Sequence, residues 1–527
     1  MRPIYPVVED RIIWPRPHLH MPLSKLSSAL LLLIGLFLSA SPRLHASTHR
    51  EIYYVNNVAG SDEYDGMSQS PGADRSGPFA TIAKALKACG VGARIELANT
   101  GVDYRERVAI SGLKKGLADS PLSINGNGAY VSGLVVVPAD RWVLLKEDVY
   151  YFLNQKTDET GKVAYEKMPT NNWLLNMKHQ GWFEAKEVPE IFFLDGKPAP
   201  STRSLADIAP GGFFYDTQGA TLPAAPGRPC VFFRVPAGRN LGDCRIELPL
   251  SGSVYVGDDY VTVSNLGSRY SVEDGFDGFW GQGVVFRNIH ACYNTEQGVS
   301  FHGNGTALVD GALIERNGGC GIVDVMSSTS IYRNVTVRGN FPGGVLFRGF
   351  AHAMYGSRII GNRGVQLEVS NKASVSLVNT LIAGQSNVQG TTPAVQVYKG
   401  YARIDRCTIA NSPVGLSVQD GCSVIDSIIA DCPNILAVAP NAVGGFSMRS
   451  TLLGRGKILL GEQSLDEASR ESLLKPYPGV VVDMPNFEGA LFSLPKDSPY
   501  RRAGASGGPL GATPAPEAAW SVPGDGR

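Results

Sequence analysis

The sequence has little charge and no excess of either sign. Lys and Arg together number 48, Asp and Glu also number 48, and charged residues make up 18% of the 527 residues. Proteins that bind nucleic acids usually carry a basic patch or stripe, and this composition gives no sign of one. We therefore expect no nucleic-acid partner.

The N-terminal region lacks a hydrophobic run long enough to cross a membrane. Its apolar stretch, from Ala29 to Ala40, has 12 residues, too few to span a bilayer. Lys25 precedes the stretch and a small-residue end at Ala46 follows it, which is the pattern of a cleaved export signal. We predict that residues 1–46 are removed, with residues 1–20 as an extension before the true start. The mature protein is expected to be secreted, periplasmic or on the cell surface, without a membrane span.

Closely spaced cysteine pairs are also absent. None of the eight cysteines forms a Cys-x-x-Cys pair, which argues against a zinc or redox site. Cys230 and Cys244, 14 residues apart, suggest a disulfide, and buried free thiols are the alternative reading. No cofactor is evident from the sequence.

Glycine (61 residues) and proline (34 residues) are abundant, as in turn-rich β proteins. Asparagine and glycine also recur at a fixed step of about 23 residues. Each unit is too short for a helix pair, and its β-branched runs alternate with a period of two. We predict a solenoid of stacked coils with asparagines aligned at one turn. The repeated asparagines are Asn294, Asn317, Asn340 and Asn362; the repeated glycines are Gly275, Gly298, Gly321, Gly344 and Gly364.

Stacking allows the four residues after each glycine to be read as columns, with the first and third facing inward. The first column contains Phe276, Val299, Ile322, Val345, Val365, Val395 and Leu416. The third contains Gly278, Phe301, Asp324, Phe347, Leu367, Val397 and Val418. The outward columns are Asp277, Ser300, Val323, Leu346, Gln366, Gln396 and Ser417, and Phe279, His302, Val325, Arg348, Glu368, Tyr398 and Gln419.

The two ends of the chain carry a family resemblance. The opening "YYVNNVAGSDEYDGMSQSPGADRSGPFATIAKALKACG" and the closing "LPKDSPYRRAGASGGPLGA" resemble those of secreted bacterial right-handed parallel β-helix proteins of the pectate-lyase-like superfamily. The resemblance implies an all-β, right-handed parallel β-helix. Phe79, Ile82, Ala83, Leu86 and Cys89 form an apolar stripe that predicts a helix capping the solenoid. Because the superfamily includes lyases, glycosidases, epimerases and adhesins, the resemblance does not choose a reaction.

These observations predict six segments. The signal segment is followed by an N-terminal cap with the first coils, an inserted β-rich module, the main coils, a C-terminal cap and a disordered tail. Trp173, Trp182 and Phe183 of the module are either a sugar platform or core residues. A capping-box pattern at Ser464 and Glu467 predicts a short helix. The predicted bounds are 1–46, 47–149, 150–250, 251–455, 456–512 and 513–527.

Candidate catalytic residues lie on the outer face of adjacent coils. Asp277 is expected to face Ser300, with His302 two residues along the same strand, and Glu296 lies one repeat from Glu273. We assign Asp277 or Glu296 the acid or nucleophile role and His302 proton transfer or hydroxyl binding. Asp324 interrupts an apolar column, so it is either paired inside the solenoid or turned outward by a bulge.

Four outward residues farther along the face are candidate substrate-binding groups. Arg348 and Glu368 are expected to form an ion pair, either a sugar contact or a solvated surface pair, and Gln366 and Tyr398 extend the same face. The sequence thus predicts a monomeric, carbohydrate-active protein that degrades a polysaccharide, as a glycosidase or as a lyase, for which calcium is an option. The alternative is a non-catalytic glycan binder or adhesin.

Overall fold

The computed structural model describes residues 50–157, 163–166, 168, 191–223, 225–385, 391–464, 469–489 and 492–513. The predicted signal segment and all but the first residue of the predicted tail lie outside these ranges. Among the helices of the described residues, none has the length and apolar character needed to cross a membrane.

The chain forms a parallel β-helix, as the repeat predicts. One side of it is a sheet of 12 strands, here called the face sheet, in which neighbouring coils pair in parallel and the last two strands pair antiparallel. Its strands are Val108–Ile110, Val254–Val256, Phe276–Phe279, Val299–His302, Ile322–Asp324, Val345–Arg348, Leu367–Ser370, Pro393–Tyr398, Val414–Val418, Asn434–Val438, Lys457–Leu460 and Gln463–Ser464.

A second sheet of 20 strands forms the rest of the coils. Its long strands pair on either side of one unpaired residue, such as Asn288 (φ 48°) or Asn334 (φ 53°). Asparagine tolerates this left-handed conformation better than most residues, which explains its recurrence at the bend. The strands are Ile52–Val55, Arg94–Leu97, Leu122–Asn125, Tyr130–Ser132, Val261–Ser264, Gly267–Arg269, Val284–Cys292, Thr306–Glu315, Thr329–Arg338, Ala351–Tyr355, Arg358–Ile360, Ser374–Val378, Leu381–Ala383, Tyr401–Asp405, Thr408–Ala410, Gly421–Ile425, Ile428–Ile429, Phe446–Arg449, Leu452–Leu453 and Val481–Val482.

The predicted asparagine ladder is present and fully buried. Asn317 accepts hydrogen bonds from the backbone N–H (3.1 Å) and side-chain amide (2.9 Å) of Asn294, and it donates to Asn340 Oδ1 (2.9 Å). Asn340 donates in the same way to Asn362 (3.0 Å). The repeated glycine is required here, because a Cβ on Gly298 would lie 2.7 Å from the Asn317 amide. The ladder therefore explains both halves of the repeat.

Aligning the fourth coil on Gly364 gives the wrong register. Leu367, not Val365, pairs with Val345, and it is fully buried. Gln366 occupies the place of the repeated glycine, and its Oε1 accepts bonds from the backbone (2.9 Å) and side chain (3.0 Å) of Asn362. Its side chain is 1% exposed. The prediction that Gln366 faces outward to bind substrate is wrong, because its amide ends the buried ladder.

A short helix, Ile82–Ala88, caps the solenoid at its N-terminal end. Thr81 accepts a hydrogen bond from Lys84 N (3.1 Å) as the N-cap. The predicted apolar stripe is buried except for Ala83, whose place in the core is taken by Ala85. Near the other end, the helix that the capping-box pattern predicts occupies Arg470–Leu474, and Glu467 lies outside the described residues. The 3₁₀-helices are Ala139–Arg141, Leu205–Asp207, Leu241–Asp243, Pro440–Gly445 and Pro499–Arg502.

An inserted module is present and begins earlier than the expected residue 150. It has its own aromatic core, which also includes Phe341 of the solenoid. Cys230 and Cys244 are both free thiols, which is the alternative to the suggested disulfide. Trp173, Trp182 and Phe183 lie outside the described residues. The module strands are Leu134–Val137, Val143–Lys146, Val149–Phe152, Gln155–Thr157, Val163–Tyr165, Phe193–Leu194, Lys197–Pro198, Ser201–Thr202, Phe213–Asp216, Cys230–Arg234 and Ile246–Pro249.

Candidate active site

Asp277 and His302 meet on the outer side of the face sheet. Asp277 pairs with Ser300 on the next strand, as the column reading predicts. A 2.6 Å hydrogen bond joins Ser300 Oγ to His302 Nε2, which lies 3.8 Å from Asp277 Oδ1. Asp277 Oδ1 is buried and has no hydrogen-bond partner among the residues that the structure describes. A carboxyl oxygen in this condition is a costly feature for a purely structural residue.

The third member of the cluster is Asp274, which the column reading missed. Its Oδ2 lies 3.9 Å from His302 Nε2, and one ligand atom from each of Asp274, Asp277 and His302 lies within 4.8 Å of the others. Asp274 belongs to the turn before the strand, where its Oδ1 accepts a hydrogen bond from Gln297 N (2.9 Å). Column reading starts after the repeated glycine and therefore passes over this position.

The cluster is built to hold a proton near neutral pH. Burial and the neighbouring Asp274 charge raise the pKa of Asp277 to about 7. Burial opposes a charge on His302, but the nearby carboxyl groups of Asp274 and Asp277 outweigh burial and raise the His302 pKa. Carboxyl groups with such shifts are typical of acid–base sites.

Aromatic side chains surround this cluster. Phe279 lies 5.7 Å from the His302 ring and 5.4 Å from Trp280, which is 51% exposed. Tyr255 pairs with Asp277 from the preceding coil, and the Arg107 guanidinium lies 5.6 Å above its ring. The cluster thus borders an apolar rim, formed by Tyr255, Phe279 and Trp280, that is open to solvent.

The other candidate residues on the outer surface lie outside the cluster. Glu296 lies in a turn, half-buried, and Asp274 rather than Glu296 completes the group of three. Arg348 and Glu368 form the expected pair at 3.6 Å. They are partly exposed, and such pairs contribute at most about 1 kcal/mol to stability. Tyr398, which ends the eighth of the twelve strands of the face sheet, is 40% exposed.

Asp324 faces inward, the first of its two predicted arrangements. It is fully buried and accepts hydrogen bonds from Ser330 Oγ and from Tyr332 OH (2.9 Å). His352 Nδ1 lies 2.8 Å from Ser330 Oγ and 3.5 Å from Asp324 Oδ2, and its ring stacks on Phe347. Since none of these groups reaches the outer face, Asp324 holds the interior together rather than contacting substrate.

Replacing Asp324 distinguishes a structural role from a catalytic one. We expect Asp324→Ala to lower the free energy of unfolding by about 3 kcal/mol, because buried partners of a charged group lose their hydrogen bonds. Asp324→Asn should lower the free energy of unfolding by less and should keep the native turnover. Urea denaturation and a rate assay measure both, with the partly exposed Asp310→Asn as control. A folded Asp324→Asn protein without activity would contradict this assignment.

The cluster does not fit a calcium ion. Calcium takes six to eight oxygen ligands, whereas Asp274, Asp277 and His302 offer two carboxylates and a ring nitrogen.

Comparisons with known proteins support the fold. The family described as "Right handed beta helix region" matches residues 236–382, which confirms the predicted hand. A search of curated proteins finds no match. Similar solved structures include XylC in complex with xylose (11% identity, TM-score 0.47, 82% of both chains) and pectate lyase Pel9A (14%, 0.44, 89% of this chain and 96% of that one). A Yersinia enterocolitica family 28 exopolygalacturonase is also similar (12%, 0.33, 84% and 79%). Likenesses this weak do not identify a reaction.

Proposed function

We propose that this chain, a right-handed parallel β-helix protein with the fold of the pectate-lyase-like superfamily, is a glycoside hydrolase. The observation that carries the proposal is the Asp277 carboxyl group, which is biased towards the protonated form beside a second carboxylate and opens onto an aromatic rim. A glycan lying along the face sheet would present its glycosidic oxygen to Asp277.

In the proposed reaction, Asp277 donates its proton to the leaving glycosidic oxygen as the bond from that oxygen to the anomeric carbon breaks. Asp274, as the nucleophile of a retaining mechanism, bonds to the anomeric carbon and is released again when water attacks that carbon. Water supplies the hydroxyl group that joins the anomeric carbon, and its remaining proton restores Asp277. The short separation of the two carboxyl groups, within 4.8 Å, is nearer to the spacing of about 5–5.5 Å in retaining glycosidases than to the wider spacing in inverting ones.

Hydrolysis fits these residues better than elimination does. A lyase needs a base together with a cation that neutralises a uronate carboxylate. Here Arg107, whose charge acts on Asp277, already pairs with Glu273 at 3.5 Å. With a pKa raised to about 7, Asp277 is still protonated in about half of the molecules at neutral pH and can supply the proton that hydrolysis requires.

A polysaccharide panel tests the reaction class. Purified protein is incubated with each glycan, and reducing ends and the ultraviolet absorbance of unsaturated uronates are measured in parallel. We expect new reducing ends without that absorbance. A matching rise of both signals would show elimination and overturn the proposal.

The rate should fall on the alkaline side. Asp277 acts as an acid only while protonated, and its pKa is raised to about 7. We therefore expect kcat/KM to decrease about tenfold per pH unit once the pH is well above that value. Circular dichroism at each pH serves as the folding control. A rate that stays constant to pH 9 would contradict Asp277 as the acid.

A glycan-binding protein without catalysis is the second candidate. Trp280 and Tyr398, 51% and 40% exposed, would suit binding as well as turnover. Retention of a glycan by the folded protein, with no product after long incubation, would favour this candidate.

Export is part of the proposal, since a polysaccharide substrate lies outside the cell. We expect the mature protein to begin near residue 47, which mass spectrometry of extracellular or periplasmic material measures. Full-length protein carrying residues 1–46 in that material would contradict cleavage.

A further inference from the structure

The cluster carries no excess of positive charge that could receive an anionic ligand. Among the residues that the structure describes there, three carboxyl groups, those of Glu273, Asp274 and Asp277, face only Arg107 and His302, so the two cationic groups are balanced even when Asp277 is protonated. Arg107 Nη2 lies 3.5 Å from Glu273 Oε2, and His302 Nε2 lies within 4 Å of the other two carboxylates. No described cation at the cluster is left to receive an anionic sugar.

The next cation along the outer side of the face sheet is also paired. Arg348 lies two coils beyond His302, which is about 10 Å at the usual spacing of parallel strands. Its Nη2 is 3.6 Å from Glu368 Oε1. A sugar unit at Asp277 would therefore meet carboxylates at contact distance and a compensated cation only farther away.

The apolar rim also favours an uncharged sugar. Trp280 is half exposed, and its ring lies over Gly303, where a Cβ would come within 2.7 Å of it. The exposed indole beside Phe279 offers a flat apolar surface next to the acid. The C–H face of an uncharged sugar ring suits such a surface, whereas a carboxylate would lose hydration there without gaining a partner.

We infer that the sugar unit received by the Asp274–Asp277–His302 cluster is an uncharged pyranose without a carboxylate. This inference rests on the proposed hydrolase function and specifies its substrate class. A new carboxylate about 5 Å from Asp274 would weaken binding by more than tenfold, even at an effective dielectric constant of about 20.

Matched oligosaccharides test the inference directly. Oligomers of galacturonate, mannuronate and guluronate are each compared with their carboxyl-reduced counterparts, which keep the linkage and lose the charge. Binding is measured by calorimetry at low ionic strength, and new reducing ends are counted in parallel. We expect at least one reduced oligomer to bind more than tenfold more tightly than its acidic counterpart.

The outcomes separate the inference from the proposed function. Acidic oligomers that bind or are cleaved as well as their reduced counterparts would overturn the inference, and any new reducing ends would leave hydrolysis standing. Tighter binding of a reduced oligomer without cleavage would support the inference and count against hydrolysis. Failure of every reduced oligomer to bind would overturn the inference as well.

A variant of the rim provides a second readout on the oligomer that binds. Trp280→Ala should weaken its binding about tenfold, because one aromatic contact is lost. The control is Leu144→Ala in the inserted module, a similarly exposed apolar residue (55%), which should change nothing. Equal binding by Trp280→Ala and the unaltered protein would remove the rim from the proposed site.

Discussion

Asp277→Asn is expected to lower kcat about a thousandfold while leaving KM within a few-fold of its original value. General acid catalysis typically contributes a factor of about 10²–10⁴. An amide cannot protonate the glycosidic oxygen, but it has nearly the same size as the carboxyl group and keeps the substrate contacts. Because the Asp277 side chain is partly exposed on the outer face, the substitution should not unfold the protein.

Two controls test whether the loss of turnover comes from the missing acid rather than from misfolding. Asp310→Asn changes a partly exposed aspartate on a strand of the second sheet, outside the cluster, and should leave kcat unchanged. Circular dichroism checks that both variants are folded. If Asp277→Asn retains near-native turnover, the acid is elsewhere and the proposed mechanism fails.

Asn317→Ala is expected to lower the free energy of unfolding by about 4 kcal/mol. The Asn317 side chain takes part in four hydrogen bonds, two accepted from Asn294 and two donated to Ala291 O (3.1 Å) and Asn340 Oδ1 (2.9 Å). It is fully buried, so water cannot replace these partners, and the neighbouring groups lose hydrogen bonds in the interior.

Urea denaturation at fixed pH measures the loss. The control is Asn304→Ala, which removes an exposed asparagine and should change the free energy of unfolding by less than about 0.5 kcal/mol. Equal stability of the two variants would show that the ladder contributes little.

The solenoid could be predicted from sequence because each coil repeats the same steric requirement. A Cβ on Gly321 would lie 2.7 Å from the Asn340 amide, so the asparagine and the glycine are selected together. Their joint spacing marks the turn, and alternation then assigns the inward columns. Six of the seven first-column positions follow from this reasoning; at the remaining coil, Leu367 takes the place of the expected Val365.

The error at that coil has a physical cause. In each of the four coils with a ladder asparagine, the first strand residue stands five positions after it, as in Asn340 and Val345 or Asn362 and Leu367. Glycine is needed only where the following coil presents another asparagine. Because the Gln366 amide ends the ladder, no glycine is required at that position, and Gly364 is not the aligned residue.

The candidate site was only partly predictable because it includes a turn. The strand periodicity brings Asp277, Ser300 and His302 together on adjacent coils. Asp274 lies before the strand, where side-chain direction depends on turn geometry rather than on alternation, and the same uncertainty led to Glu296 as a candidate. The buried, paired arrangement of Asp324 was one of two that the sequence left open, because its partners Ser330 and His352 come from strands of the second sheet, whose register the columns do not fix.

The protonation of Asp277 is the claim on which the proposed acid role depends most directly, and it can be measured without a substrate. Protein labelled with ¹³C at the aspartate carboxyl groups is titrated by NMR, and Asp277→Asn identifies the signal that belongs to Asp277. The structure predicts a carboxyl signal that titrates with a pKa of about 7 and disappears in the variant. An Asp277 signal that titrates near the ordinary aspartate value of about 4 would contradict the account.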